Sequence, residues 1–211
     1  MGQKFASIHI KSPDVIFVEE ALLKIYALST VGVEGMIRTA NAMLPGKVNT
    51  NMIRLFQMAH NNNGEVLFFI KTEQYLSVYD GNLSFETVEE KARQISEKIQ
   101  APVVYTSNFD DDLFLFGVMQ SGHVITHGCI GVDLEECYGV KSCAADIRLF
   151  SEALGLSGEI PELPEDDVDE GQAIVENMLG IELNLRMPLP RTYRLQRMMQ
   201  GIPLFTEETE T

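Results

Sequence analysis

The sequence predicts an α+β fold in which an antiparallel sheet carries helices on one face. Short runs of alternating apolar and polar residues are typical of strands, and two of them precede stretches with apolar residues at helical spacing. The two strand-helix stretches also match each other faintly when the chain is shifted by 70 residues along itself. This internal repeat predicts a core built from two similar units.

The first unit begins with the alternating run from Phe5 to Ile10, which predicts a strand. Ser12 and Pro13 then form a helix start signal. Apolar residues follow at helical spacing, namely Val18, Leu22 and Ile25. The segment EVLFFIKT at 65–72 predicts the strand that closes the unit, and residues 29–64 between helix and strand predict a helical insertion.

The second unit repeats this order with the run from Tyr75 to Tyr79, a start signal at Ser84 and a closing strand at 102–109. Its helix shows the apolar positions Val88, Ala92, Ile95 and Ile99. The order strand, helix, strand, strand, helix, strand is that of the ferredoxin-like split βαβ arrangement. We therefore expect a ferredoxin-like duplicated core with both of its helices on one face of the sheet.

Further elements follow this core. The segments 112–119 and 123–130 flank the short turn QSG and predict a hairpin that extends the sheet. The segment 143–154, CAADIRLFSEAL, predicts a helix with one apolar face. We expect the core domain to comprise residues 1–157.

Residues 158–211 are predicted to form an acidic linker and a C-terminal helical appendage. The segment 168–180 predicts a short helix that ends at Gly180, because glycine readily adopts the left-handed conformation that closes helices. The basic segment 191–199 predicts a further helical turn. This part of the chain is too small to form an independent hydrophobic core.

The charge distribution limits the kinds of partner that the protein can bind. The 211 residues carry a net charge of −15, and residues 159–170 alone contain seven acids and no base. Such a charge repels nucleic acids and anionic membranes, and no apolar run approaches the ~20 residues that span a bilayer. The start of the chain lacks a secretory leader pattern, and three cysteines favour a reducing compartment. We therefore expect a cytoplasmic protein without a nucleic-acid or membrane partner.

The stretch 122–143 contains all three cysteines and two of the four histidines. In a regular strand, His123, His127 and Cys129 project from one face, and two imidazoles and a thiol could bind zinc. Cys137 or Cys143 could then supply a fourth ligand. The competing interpretation is a pair of surface histidines and small buried thiols, because structural zinc sites usually contain close C-x2-C pairs.

Cys143 is also the candidate nucleophile. It follows Ser142, which as a helix N-cap would place the thiol in the first helical turn, where the helix dipole favours a thiolate. His127 or His123 could then act as the base. Many such cysteines are inert, and no segment nearby indicates an oxyanion hole. We therefore lean towards a protein that is not an enzyme.

Other signals are weaker or absent. The carboxylates of residues 110–112 could bind Mg²⁺ or Ca²⁺, although the segment lacks the spacing of an EF-hand loop and is typical of a solvated turn. The chain has no dinucleotide-binding, phosphate-loop, zinc-protease or α/β-hydrolase nucleophile motif. These absences disfavour nucleotide hydrolysis and dinucleotide redox chemistry.

The stretches YLSVYDGNLSF and APVVYTSNFDDDLFLFGVMQSGHVITH, within residues 75–130, carry one resemblance. They resemble a family of uncharacterised bacterial proteins that share an SVYD strand, an amphipathic helix and an aspartate-marked strand pair ending in a glycine turn. The resemblance implies a bacterial origin and the same local fold. It implies no activity and no functional residue.

Together these observations favour a non-enzymatic protein-binding module whose acidic surface attracts a basic partner, as in an inhibitor or an immunity protein. The competing view of the charge is solubility alone. The alternative function is an enzyme or metal-binding protein that uses the His and Cys residues of 123–143, with zinc as the possible ligand. The sequence does not indicate the oligomeric state.

Overall fold

A computed structural model of the chain describes residues 4–11, the helical positions 18, 21, 22 and 25, residues 67–184 except 73 and 82, and residues 194–196. This part of the chain forms a seven-stranded antiparallel sheet with helices packed on it. The predicted α+β class is therefore confirmed. The predicted insertion at 29–64 lies outside the described residues.

The strands are β1 (Lys4–Lys11), β2 (Leu67–Lys71), β3 (Tyr75–Asp80), β4 (Val103–Phe109), β5 (Leu113–Gln120), β6 (His123–Gly131) and β7 (Arg194–Gln196). The helices with described bounds are α1 (Val88–Ile99), α2 (Leu134–Tyr138), α3 (Ile147–Leu154) and α4 (Val168–Leu179). The strands lie in the order β6-β5-β4-β1-β3-β2-β7. Strand β1 is thus central, and β6 forms one margin of the described sheet.

One face of the sheet packs against α1 and the helical positions near the N-terminus. Ile8 on β1, Tyr105 on β4 and Ile95 on α1 are fully buried in this cluster, together with Val18 and Leu22. Helix α1 packs here because its apolar residues recur at helical spacing, while Glu89 and Glu90 in its first turn and Lys98 in its last turn complement the helix dipole. The helical positions near the N-terminus and α1 therefore lie on the same face of the sheet.

The opposite face packs against α3 and α4. Its buried cluster joins Phe116 and Val104 of the sheet to Phe150 of α3 and Val175 of α4. Leu183, beyond α4, is also fully buried in it. Residues on both sides of the predicted boundary near 157 therefore contribute to one hydrophobic cluster.

Two local predictions need correction, and the sequence analysis missed one helix. The helix predicted at 143–154 begins only at Ile147, because Asp146 is its N-cap. The segment 191–199 was predicted to be helical, yet residues 194–196 pair with β2 as strand β7. Helix α2 was not predicted, since its five residues are too few to show helical periodicity. The helices in the described part of the chain lack the combination of length and apolar character needed to cross a membrane.

Candidate functional site

The stretch with the predicted site residues folds into β6, α2 and the loop 139–146 that precedes α3. This loop follows the outer edge of β6. The Cys129 N–H donates to the Cys143 carbonyl at 2.9 Å, and the Asp146 N–H donates to the Thr126 hydroxyl at 2.9 Å. The fold therefore brings Cys143 against the strand that carries Cys129.

A bulge in β6 divides the predicted row of His and Cys side chains between the two faces of the sheet. His127 lies opposite Gly117, whereas His123 lies opposite Gln120. Gly117 and Gln120 are three positions apart on β5 and so point to opposite faces. The prediction that His123 shares a face with His127 and Cys129 is wrong, because the register shifts by one residue within the strand.

Two of the three thiols meet. The Sγ atoms of Cys129 and Cys143 are 3.1 Å apart. The Cys129 thiol also lies 3.1 Å from the carbonyl of Lys141 and accepts the Cys143 N–H at 3.1 Å. Cys129 is buried and Cys143 is partly exposed, while Cys137 on α2 is exposed. The structure thus joins a predicted metal ligand to the predicted nucleophile.

The environment of Cys143 does not favour a thiolate. Cys143 precedes the first residue of α3 by four positions, and Asp146 caps the helix by accepting the Leu149 N–H at 3.0 Å. The predicted place in the first helical turn is therefore wrong. Burial raises the pKa of the Cys143 thiol to about 12, and the hydrogen bond to Cys129 adds to this rise. A thiol of this kind stays protonated at neutral pH.

The two histidines remain at the surface. Both His123 and His127 are exposed. Within the residues that the structure describes, His, Cys, Asp and Glu side chains form no group of three or more that could hold a metal ion. The zinc role of His123, His127 and Cys129 and the catalytic role of Cys143 with His127 stay predictions.

The face that carries His127 also contains a buried tyrosine hydroxyl. The Tyr105 ring covers Gly117 so closely that a Cβ atom at Gly117 would lie 2.5 Å from the ring Cζ atom. Among the described residues, the Tyr105 hydroxyl has no hydrogen-bond partner. Burial raises the pKa of Tyr105, and the negative charge of Glu89 raises it further. The Tyr105 hydroxyl therefore stays protonated at neutral pH.

The aspartates of 110–112 form the turn between β4 and β5. Asp110 and Asp111 have φ angles of 58° and 62°, in the left-handed region that aspartate tolerates in turns. Asp110 forms an ion pair with Lys4 at 2.8 Å, and Asp112 accepts a hydrogen bond from Tyr138 at 2.9 Å. These contacts are typical of a structural hairpin turn.

Three segments that carry exposed acidic residues come together around Gly131 at the end of β6. The Gly131 N–H donates to the Glu165 carbonyl at 3.2 Å, and a side chain at Gly131 would collide with the Asp112 carbonyl. Helix α2 follows directly. We define the acidic patch as six exposed residues: Asp112, Asp133, Glu135, Glu136, Glu165 and Asp166. The ion pairs found within the described residues involve none of these six carboxylates.

A cavity of about 380 Å³ opens at the same end of the sheet. Its lining includes Phe85 and Phe109 together with the polar side chains of Lys4 and Asn108. The Phe85 and Phe109 rings meet edge to face at 5.2 Å, and Tyr138 of α2 lies 5.8 Å from Phe109. Because α2 contributes to the acidic patch, the cavity and the patch are neighbours.

Sequence analysis missed a polar network around His9, which is fully buried at the centre of β1. Its Nε2 atom lies 2.9 Å from the Ser7 hydroxyl, and its Nδ1 atom lies 2.8 Å from the Ser77 hydroxyl. Ser7 also contacts the Thr106 hydroxyl at 2.8 Å and donates to the Leu183 carbonyl at 2.7 Å. Four side chains from three strands thus meet beneath the segment that follows α4.

The donor and acceptor roles in this network follow from one constraint. A carbonyl only accepts, so the single Ser7 hydrogen is committed to Leu183. Ser7 must therefore accept from the His9 Nε2–H, which leaves Nδ1 to accept from Ser77. The network holds His9 neutral, and burial lowers its pKa to about 3. A side chain enclosed in this way has no access to a substrate, so the network is structural.

A sequence signal for the network does exist. The run FASIHIK has no charged residue between Phe5 and Ile10, although its alternate positions are polar. A strand with one face in water usually places charged residues there, whereas Ser and His can be buried with hydrogen-bond partners. The absence of charge indicates a strand covered on both faces.

Comparisons with known proteins identify no relative of this chain. No family model, curated protein or solved structure matches the chain.

Proposed function

We propose that β1, β2, β3 and β4, with the helices on one face, form a ferredoxin-like core built by duplication. The antiparallel order β4-β1-β3-β2 supports this proposal, as does the burial of Val18 and Ile95 in the same cluster on one face. The hairpin of β5 and β6 and the C-terminal helices would then be additions to that core.

We propose that the protein is a non-enzymatic binding module of the bacterial cytoplasm that holds a basic protein partner, as an inhibitor or immunity protein does. The acidic patch carries this proposal. Its six carboxylates are exposed and come from three segments around Gly131, and each segment is fixed by backbone contacts. Clustered charge of one sign speeds association with a partner of opposite charge.

The neighbouring cavity supports the same function. Its volume of about 380 Å³ is within the range of side-chain and small-ligand pockets. Its aromatic walls, Phe85 and Phe109, can pack against an apolar side chain of the partner, while basic side chains of the partner face the patch. A side chain anchored in a pocket is a common source of binding energy at interfaces.

The test compares two variants of equal charge. The patch variant carries Glu135→Gln, Glu136→Gln, Glu165→Gln and Asp166→Asn. The control variant removes four exposed acids elsewhere through Glu86→Gln, Glu90→Gln, Glu97→Gln and Glu152→Gln. Immobilised wild-type protein should retain a basic protein from a bacterial lysate at low salt and release it at high salt.

Once this protein is identified, the patch variant should bind it on the order of tenfold more weakly than wild type, mainly through slower association. The control variant should bind nearly as well as wild type. Surface plasmon resonance at two ionic strengths gives both rate constants. Equal losses in the two variants would mean that net charge alone, and not the patch, attracts the partner.

The second candidate is a metal-binding or catalytic role for the His and Cys residues of 123–143, favoured by the 3.1 Å separation of the Cys129 and Cys143 Sγ atoms. Two thiols and the His127 imidazole, on the same face as Cys129, are the ligand types that zinc prefers. If this role is correct, protein purified without chelators contains stoichiometric zinc that is lost on His127→Ala. His123→Ala is the matched control, because its side chain lies on the other face. Elemental analysis by mass spectrometry measures the zinc content, and metal-free protein would reject the zinc-binding part of this candidate.

A further inference from the structure

The two converging cysteines form more than a pair of packed thiols. We propose that Cys129 and Cys143 are a redox-active dithiol that reacts with small disulfides such as oxidised glutathione and closes into an intramolecular disulfide. The third cysteine, Cys137, takes no part in this reaction. The inference is independent of the acidic patch and of its partner.

Geometry carries the proposal. The Sγ atoms are 3.1 Å apart, so a movement of about 1 Å brings them to the disulfide bond length. The two backbones are already adjacent, since the Cys129 N–H donates to the Cys143 carbonyl at 2.9 Å and the Cys143 N–H reaches the Cys129 Sγ atom at 3.1 Å. The backbones that carry the two thiols are therefore already side by side, which favours bond formation.

The hydrogen bonds of Cys129 and Cys143 are those of the reduced protein. Lys141 offers a carbonyl 3.1 Å from the Cys129 thiol, which fixes the Cys129 S–H as a donor to that carbonyl. The Cys143 S–H then donates to the Cys129 sulfur, 3.1 Å away. Each thiol is thus protonated and partnered, and the same contacts align the two sulfur atoms for reaction with each other.

The difference in exposure sets the order of steps. Cys143 is partly exposed and Cys129 is buried, so Cys143 meets the oxidant first. In the small fraction of molecules in which Cys143 has lost its proton to water, its sulfur attacks one sulfur of oxidised glutathione, which forms a mixed disulfide and releases one glutathione thiolate. The Cys129 thiolate then attacks the Cys143 sulfur, forms the Cys129–Cys143 bond and releases the second glutathione. The two protons from the cysteines end on the two glutathione molecules, which are reduced as the protein is oxidised.

The disulfide would fasten the loop 139–146 to β6. In the reduced protein this loop is held by hydrogen bonds such as that from Asp146 N–H to the Thr126 hydroxyl. A covalent link at Cys143 restricts the unfolded chain as well, so the oxidised protein should unfold at a higher temperature than the reduced protein. Disulfides of this type in reducing compartments are usually transient and respond to oxidants.

The experiment uses the purified full chain, reduced and then exposed to oxidised glutathione in glutathione buffers of increasing oxidised fraction. Exchange is quenched with acid, and the free thiols are then alkylated with iodoacetamide in denaturant at mildly alkaline pH and located by peptide mass spectrometry. We expect loss of two of the three alkylated cysteines, and before alkylation a mass lower by two hydrogen atoms. The cross-linked peptide should join Cys129 to Cys143, and reductant should reverse the change.

Variants separate the pair from ordinary surface oxidation. Cys137→Ser should form the same disulfide as wild type, whereas Cys129→Ser should stop at the mixed glutathione disulfide on Cys143. Mapping of the wild-type protein decides the proposal even where a variant fails to fold. Any of three results for the wild-type protein would overturn the proposal. They are a stable glutathione adduct on Cys143, an intramolecular disulfide that joins Cys137 to another cysteine, and unreacted Cys129 and Cys143 thiols in the most oxidising buffer.

Discussion

Replacing Phe150 with alanine should lower the free energy of unfolding by about 3–5 kcal/mol, the largest loss we expect from one side chain. Phe150 is fully buried between α3 and the sheet. Its ring meets Phe116 edge to face at 5.8 Å, and Phe116 stacks on Phe114 at 5.5 Å. Truncation removes these contacts and leaves a cavity that close-packed neighbours fill only in part.

Urea denaturation followed by far-ultraviolet circular dichroism measures this loss. Leu149→Ala is the matched control, because Leu149 is the preceding residue of α3 and is 42% exposed. This variant should stay within about 0.5 kcal/mol of wild type. A loss below about 1 kcal/mol for Phe150→Ala would mean that α3 does not pack on the sheet in solution.

The stability of the protein should fall by about 2 kcal/mol between neutral pH and pH 5 through His9 alone. Burial lowers the His9 pKa from 6.5 to about 3 in the folded state. Above pH 6.5 the imidazole is neutral in both states, so it contributes no pH dependence. Below pH 6.5 the His9 imidazole becomes protonated in the unfolded chain but stays neutral in the folded protein. The free energy of unfolding therefore decreases until the pH approaches 3.

The measurement is the free energy of unfolding in urea at several pH values in this window. His9→Gln removes the titrating group and keeps one donor and one acceptor, so the slope of stability against pH should flatten by about one proton. Identical slopes for His9→Gln and wild type would show that His9 is not buried in solution.

Elements with a clear period were predicted from the sequence. Strands β1, β3 and β4 lie within one residue of their predicted bounds, because apolar and polar side chains alternate along them. Helix α4 ends before Gly180 as expected, with that glycine at φ 66°. These features depend on residues close together in the sequence, so one sequence is enough to predict them.

The sequence did not predict features for which two neighbouring residues could fill the same structural role. Both Ser142 and Asp146 can cap a helix, and in the structure the residue that does so is Asp146. The bulge that turns His123 away from His127 leaves no mark in the alternating pattern, since one extra residue in a strand looks like any other. The sequence therefore predicted the strand that carries His127 and Cys129, but it placed His123 wrongly on the same face.

The residues of the thiol pair illustrate the same limit. Cys129 and Cys143 are separated by the acidic helix α2, and spacing alone does not show that the loop 139–146 returns to β6. The approach depends on backbone hydrogen bonds along the strand edge, which involve atoms common to every residue type. Sequence analysis offered both Cys137 and Cys143 as neighbours of Cys129 and could not choose between them.

The returning loop has a consequence for how other chains can approach the sheet. The outer N–H groups of Cys129 and Gly131 are already committed, to the carbonyls of Cys143 and Glu165. An exposed strand margin is a template for an incoming extended peptide and for edge-to-edge aggregation, and here those two positions are occupied by the protein's own chain. Strand addition is thus blocked beside the acidic patch, so recognition there has to proceed through side chains.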